Sequence, residues 1–432
     1  MLDNFRLSIA SVAFSVLLMG QVVGQGIIFP FAGPTGRAMG GASTGSHLDA
    51  IATTYWNPAA MADAGESELS VGVDLLFPSM RTDSSIPNLL AGSSTADPGP
   101  IPIPQIGWIQ KTCDPCLTYG LSIATVGGAK TNYPASFTNP LFFPQSNMPG
   151  FPGGLGRVDT SVQFMQIMPS VAYMVSDNLS IGFGPTLSLG QLVVDPFVFA
   201  APDDADGSGQ PRYPIGSGAK MNWGGGFQVS AYYRPQQEWS YGFTFRSPQW
   251  MERIDNLSTD ENGFPRVVSI DVDLPMVISI GAAYHGIPDT IVGLDVRYVG
   301  NEAADGFGNS GFNPDGSLAG VGFSDQYMIG VGARRRFSDL LTLGGGYTFS
   351  SSPMSDSEAM IAALAPLHYQ HVYHLGGAIH VAPQASVLFA YSYSPTSTLS
   401  GPIFTPMGAI PGSNVTTSLT VHVASLGISV RY

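Results

Sequence analysis

The feature that most constrains this chain is an alternation of large apolar and small residues with period two, returning in runs of about ten residues separated by breaks. Leu179, Ile181, Phe183, Leu187 and Leu189 fall on one side of such a run, and Ser180, Gly182, Gly184, Thr186 and Ser188 on the other. Trp239, Tyr241, Phe243 and Phe245 oppose Ser240, Gly242, Thr244 and Arg246, and Val292, Leu294, Val296 and Tyr298 oppose Gly293, Asp295 and Arg297. Ile270, Val272, Leu274, Met276, Ile278 and Ile280 read as one uninterrupted strand. A soluble sandwich alternates too, but its outer face carries charge. Here the second face is mostly Gly, Ser, Thr and Ala, and only 11% of residues are charged, against about 25% in an ordinary soluble domain. Tyr and Trp gather near run ends (Tyr232, Tyr233, Trp239, Tyr284, Tyr298), as in the girdles at bilayer interfaces. The oily face is therefore expected to look out at lipid and the small face inward. The expected fold is all-β, a 14-stranded antiparallel transmembrane β-barrel.

The connections alternate as well. Short turns such as Ser176 to Asn178 and Ser338 to Asp339 interleave with long loops at 77–103, 128–157, 195–218, 253–265, 303–323, 352–366 and 396–415. Expected strands include 67–76, 104–112, 117–127, 238–252, 266–285, 367–381, 385–395 and 416–432. In the last of these, Ala424, Leu426, Ile428, Val430 and Tyr432 alternate up to a terminal aromatic, the ending that barrel-assembly machinery reads in outer-membrane proteins. Upstream, Leu419, Val421 and Val423 take the opposite parity. Either a β-bulge shifts the register near Val423, or these residues line an apolar lumen.

The apolar run from Leu7 to Val23, with Val22 and Gly24 at the small-residue positions, reads as a signal peptide over 1–24; the alternative is a membrane-anchoring helix. A net charge of −14 argues against nucleic-acid binding. Cys113 and Cys116 are expected to form a small turn disulfide or to be inert thiols, since two thiolates do not fill a zinc site. No cofactor and no metal is expected.

Residues 25–65 fit no strand pattern, and residues 66–432 hold the barrel runs. A barrel this wide leaves a lumen, and irregular backbone at membrane depth is tolerable only inside protein or water. Residues 25–65 are thus expected to form an N-terminal plug. Gly36-Arg37-Ala38-Met39-Gly40-Gly41-Ala42, then Asp49-Ala50, then Tyr55-Trp56-Asn57-Pro58-Ala59, resembles the opening of the outer-membrane long-chain fatty-acid and aromatic-hydrocarbon transporter family, the FadL family. The resemblance implies a hatch carrying Asn57, Pro58 and Ala59, with Arg37 and Gly40 in its opening, and Asn57 capping or bonding the plug backbone. It further implies passive uptake of small hydrophobic molecules, captured at the loops, gated by the hatch and released sideways through the wall. The chain is expected to be a monomer in contact with outer-membrane lipid. Members of that family can also serve as partners in protein secretion, an alternative that stays open here. An outer-membrane hydrolase would need Ser, His and Asp or Asn together at the membrane edge, and no strand offers a convincing set.

The long loops are rich in apolar residues: Phe142, Phe143, Met148 and Phe151 in one, Phe197 and Phe199 in another, Phe404 and Met407 in the last. These are the candidate ligand contacts, the bland alternative being loops that pack on one another. Arg334 and Arg336 are candidate contacts for a carboxylate headgroup, or members of a wall ion pair with Asp295 or Asp271. His368, His374 and His380 are too widely spaced for one metal. Asp203 to Ser208 could hold calcium through closely spaced oxygens, but the twelve-residue ligand pattern is incomplete and a solvated acidic loop is the expectation. Ser355 and Glu358 form a capping-box pattern ahead of Ala359 to Leu364, suggesting a short loop helix.

Overall fold

The computed structural model describes residues 26–145, 153–216 and 220–432. The expected signal peptide and the loop residues Met148 and Phe151 lie outside the described residues. Fourteen antiparallel strands close into a barrel, each hydrogen-bonded to its neighbours in chain order. They are β1 (Glu68–Ile86), β2 (Ile101–Lys111), β3 (Leu117–Tyr133), β4 (Val158–Ser176), β5 (Leu179–Asp195), β6 (Met221–Gln236) and β7 (Trp239–Arg246). They continue as β8 (Met276–Tyr284), β9 (Thr290–Gly300), β10 (Gln326–Arg336), β11 (Leu341–Ser350), β12 (His371–Ala382), β13 (Ala385–Gly401) and β14 (Asn414–Arg431). Closure is made by β1 on β14, in unbroken register from Glu68↔Arg431 to Ser85↔Asn414.

The period-two rows face as their chemistry requires. Ile181, Phe183 and Leu187 on β5 and Trp239, Tyr241 and Phe243 on β7 are exposed on the outer surface, while Ser180, Thr186, Ser240 and Thr244 are buried inside. With lipid as solvent, the outward apolar row lies in its favourable medium, and the small row leaves room for chain inside the barrel. The unresolved parity on β14 has a plain answer. Its pairing with β1 runs through Val423 without a shift, and Val415, Leu419, Val421 and Val423 are all buried inside. No bulge is needed there; these four residues give β14 an apolar inward row.

Two strand readings are corrected. The expected strand 266–285 is two elements: Pro265–Ile270 folds back on Ile254–Thr259 as a separate hairpin, and only Met276–Tyr284 enters the wall. The apolar alternation continues through Val272 and Leu274, but these side chains are buried in the loop core. The Leu274 backbone bonds Gln249, and Asp273 Oδ1 accepts from Met251 N at 2.8 Å. A period of two reports which face is buried, not which strand is the partner. The expected loop 77–103 is largely strand as well: β1 runs out to Ile86, and Leu90–Ala96 returns along the same edge of β1 that β2 later occupies.

Inside the barrel lies residues 26–63. Gly26 to Met61 are buried apart from the half-buried Thr35 and His47. This segment holds two short helices, α1 (Gly33–Ala38) and α2 (Ala50–Trp56), and a 3-10 turn at Pro58–Asp63. α1 starts with Pro34 in its first turn, and α2 is capped by Asp49, whose side chain accepts from Ala52 N.

Candidate functional site: an apolar passage above a clamped plug

Three buried arginines fasten the plug to the wall. Arg37 of α1 pairs with Asp74 of β1 at 2.5 Å and lies over the Phe31 ring at 3.9 Å. Arg297 of β9 pairs with Asp295 at 2.6 Å, donates to the carbonyls of Pro30 and Gly41, and lies 3.7 Å over Trp56. Asp295 also accepts from the backbone N–H groups of Ser43 and Thr44. Arg246 of β7 donates to Tyr55 O at 2.7 Å. A guanidinium offers several donors in one fixed plane: Arg246 and Arg297 reach plug carbonyls from the wall, and Arg37 reaches a wall carboxylate from the plug.

The hatch-motif residues sit at the same seam. Asn57 is fully buried; its Nδ2 donates to Thr44 O at 2.8 Å and to Ala231 O of β6 at 3.1 Å, and its Oδ1 accepts from Ala59 N. Pro58 opens the 3-10 turn, and Ala59 O accepts from Ser180 of β5. Gly40 adopts φ +60, and a Cβ there would stand 2.7 Å from Tyr347 N of β11. An Asn57→Ala variant is expected to loosen the 3-10 turn by about 1–3 kcal/mol through the orphaned carbonyls and lost cap. Hydrogen exchange should quicken at residues 58–63 and stay unchanged in the wall strands.

The wall ladder breaks off between β2 and β3. β2 pairs with β3 only from Lys111↔Thr118 to Gln105↔Ala124, although β3 runs on to Tyr133 on its other side. The reason is in the sequence Pro98-Gly-Pro-Ile-Pro-Ile-Pro104. Pairing of this stretch with β1 is intact at Leu76↔Ile101 to Val73↔Pro104, so the Ile101 and Ile103 amides serve β1 and the intervening proline nitrogens face β3. A proline nitrogen has no hydrogen to donate. β3 responds with a register shift at Val126, between Thr125 and Gly127, and all of its residues from Ser122 to Ala129 are buried, whichever face they belong to. The bulged Val126 O accepts instead from Phe29 N of the plug at 2.9 Å. Gly127 is required there, since a Cβ would fall 1.5 Å from Ile27 O. The gap is bridged again farther out, where Asp97 N donates to Asn132 O.

Two apolar cavities are present, the inner of them touching Ala129 of β3 and Ile27 of the plug. The outer one, about 240 Å³, lies among the loops and is lined by Leu141, Tyr213, Phe312, Leu318, Phe404, Met407 and Ile410, among others. The inner one, about 60 Å³, is lined by Ile27, Ala129, Val162, Leu192, Val194, Phe199, Phe307 and Phe323 with others, and Thr160 is its one hydrogen-bonding side chain among the described residues. Ile361 and Leu364 line both cavities and form the partition between them. They belong to the segment that Ser355 and Glu358 cap reciprocally, which forms 3-10 turns at Asp356–Glu358 and Ile361–Ala363.

The sequence candidates divide accordingly. Phe404 and Met407 line the outer cavity and Phe199 the inner one. Phe142 is fully buried, stacked on Tyr133 at 4.4 Å; Phe143 packs edge-on to Phe137, and Phe197 packs against Phe199. These three hold loops together and line neither cavity. Arg334 and Arg336 also stand elsewhere: Arg334 donates to Leu48 O and lines a small polar cavity with Asp49 and Glu68, and Arg336 pairs with Asp339 in a short turn. Neither meets Asp295, which Arg297 holds. His374 lies between Thr348 and Ser392 and His380 between Thr342 and Ser386, each as a wall bond. Cys113 and Cys116 are unbonded thiols in the turn before β3. Ile361 and Leu364 were missed as site residues; the available signal was an apolar stretch behind a capping box.

A closed barrel with lipid-facing apolar rows and a clamped plug in its lumen is the architecture of an outer-membrane transport protein. The sequence matches the family of outer membrane protein transport proteins (OMPP1/FadL/TodX) over residues 29–432, and the chain belongs to that family. Among solved structures it is similar to a Pseudomonas aeruginosa FadL homologue (15% identity, 94% of this chain and 99% of that one, TM-score 0.69). It is similar also to the Ralstonia pickettii toluene transporter TbuX (18% identity, 93% and 99%, TM-score 0.67) and to the P. putida toluene transporter TodX (14% identity, 93% and 99%, TM-score 0.67). No curated protein matches the sequence. At these identities the solved structures establish the shared fold.

Proposed function

We propose that the chain admits uncharged hydrophobic molecules passively, capturing them in the outer cavity, passing them by Ile361 and Leu364 into the inner one, and releasing them sideways between β2 and β3. The observation that carries this reading is the lining of the inner cavity, which is apolar apart from Thr160. Bringing a carboxylate there without a partner would cost several kcal/mol or more, whereas burying an apolar side-chain-sized group gains about 1.5–3 kcal/mol. The apolar inward row of β14, and Ile101 and Ile103 at the gap, continue the same surface. The plug, residues 26–65, serves as the hatch in this reading: Ile27 lines the inner cavity, and its neighbour Phe29 is bonded to the bulge. The inner cavity falls short of the roughly 300 Å³ that an ordinary ligand site needs, so passage requires the Ile27 end of the plug or the Ile361 partition to shift. The reading assigns no catalytic step and no energy source; the gradient drives uptake.

Uptake assays in cells carrying the chain as the sole such channel test this. A labelled neutral aromatic or alkane should enter well above the empty-vector rate, while a long-chain fatty-acid anion at neutral pH should not. Equal uptake of the anion would overturn the neutral-substrate reading. An Ile361→Trp variant, which fills the partition, is expected to reduce uptake of the neutral compound at least about fivefold with the wall intact, a loss of about 1 kcal/mol in transit free energy.

A further inference from the structure

We propose that the Thr160 hydroxyl is a ligand contact, and that it selects neutral apolar molecules carrying one hydroxyl or carbonyl oxygen. The inference rests on the proposed passage and narrows what that passage carries. Thr160 of β4 lines the inner cavity and is 3% exposed. Its Oγ1 is buried with no hydrogen-bond partner.

Several hydroxyls that point into this barrel are already spent. Ser180, Ser240, Thr244 and Thr348 each donate to a carbonyl of the plug. Thr131, directly across the ladder from Thr160, reaches Leu364 O of the partition at 3.4 Å. Other buried hydroxyls also lack a partner, but among the described residues Thr160 is the one of these that lines either apolar cavity. A buried hydroxyl without a bond carries the cost of its lost water. Valine has the same branched shape and would line the cavity without that cost. A ligand oxygen that meets Oγ1 removes the cost, while an alkyl or aryl remainder suits Val162, Leu192, Phe307 and Phe323, which line the same cavity.

The position also suits a selecting contact. Thr160 pairs with Thr131 of β3 and with Val194 of β5, so it belongs to the wall and keeps its place when the plug end or the partition shifts. β3 is the strand whose other edge faces the gap, so the hydroxyl stands one strand from the sideways exit. A threonine hydroxyl donates to a carbonyl oxygen and both donates to and accepts from an alcohol or phenol. A hydrocarbon leaves it unpaired. A carboxylate would find this one neutral donor and, among the described residues, no cation lining the cavity.

The test is saturation binding of tritiated 1-dodecanol and tritiated dodecane to the protein in nanodiscs, with protein-free nanodiscs subtracted. Thr160→Val should weaken the alcohol about three- to tenfold, the effect of one net hydrogen bond, and leave the alkane within about twofold. Thr160→Ser, which keeps the hydroxyl, should hold the alcohol as the wild type does. Heat-modifiable migration on gels confirms that each variant keeps its barrel. No binding of the alcohol to the wild type, an unchanged alcohol affinity in the valine variant, or an equal loss of both compounds there would each overturn the proposal. Cellular uptake of the same two compounds separates it from the reading beneath it. The expected binding shift without uptake would leave the contact standing and overturn the passage, whereas uptake of both compounds without the shift would overturn the contact alone.

Discussion

An Asp295→Ala variant is expected to turn a sealed barrel into an ion-conducting one. Asp295 is 1% exposed and neutralises Arg297 while accepting from Ser43 and Thr44. Removing it leaves a buried guanidinium without its counter-charge and two plug amides without acceptors. Stripping one partner from a buried pair costs about 3–5 kcal/mol. That cost falls on the docking of the plug, because the wall ladders on either side of Asp295 are backbone bonds. The plug should therefore leave its seat with the strands intact. In planar bilayers the variant should show stepwise currents where the wild type shows none, and cells carrying it should become sensitive to large hydrophilic antibiotics. Asp295→Asn, which keeps an acceptor for the amides, should fall between the two. Wild-type silence from the alanine variant would show that the plug does not depend on this clamp.

Restoring hydrogen-bond donors to β2 should close the passage. With Pro100, Pro102 and Pro104 replaced together by threonine, the edge facing β3 regains N–H groups. Each new ladder bond would contribute about 0.5–1.5 kcal/mol, drawing the Thr125–Ala129 stretch of β3 outward into register. Val126 O would then exchange its bond from Phe29 for one within the wall. Uptake of a neutral hydrophobic compound is expected to fall at least about tenfold, a barrier increase of about 1.4 kcal/mol, while the temperature at which the barrel unfolds on gels rises. A variant that is more stable and equally permeable would rule out the sideways route and move the exit to the plug.

The fold was legible because lipid and lumen impose opposite demands on alternate residues. Ser180 beside Ile181 and Gly242 beside Phe243 carry that demand openly, and the fourteen expected strands correspond to fourteen observed ones. The passage was less legible, for two physical reasons. The loop residues are apolar whether they meet a ligand or one another, and nothing local distinguishes Phe142, stacked on Tyr133, from Phe404, at the outer cavity. Arginine is equally ambiguous: Arg334 and Arg336 read as headgroup ligands, yet the buried arginines that matter join plug to wall, Arg246 and Arg297 through plug carbonyls and Arg37 through Asp74. The alternating prolines at 98–104 did carry information about the gap, but only once the neighbour strand was known could a missing N–H be assigned to one edge.

The unequal seams also have a mechanical consequence. The first and last strands are stitched along their whole shared length, so the place where the newly made cylinder shuts is not where it is weakest. Under load or heat the tear should start beside the proline-rich strand, whose ladder to β3 ends at Gln105, and run from there toward the short turn that carries the two thiols. Cross-linking across that line should therefore raise resistance to unfolding far more than a cross-link between the chain ends.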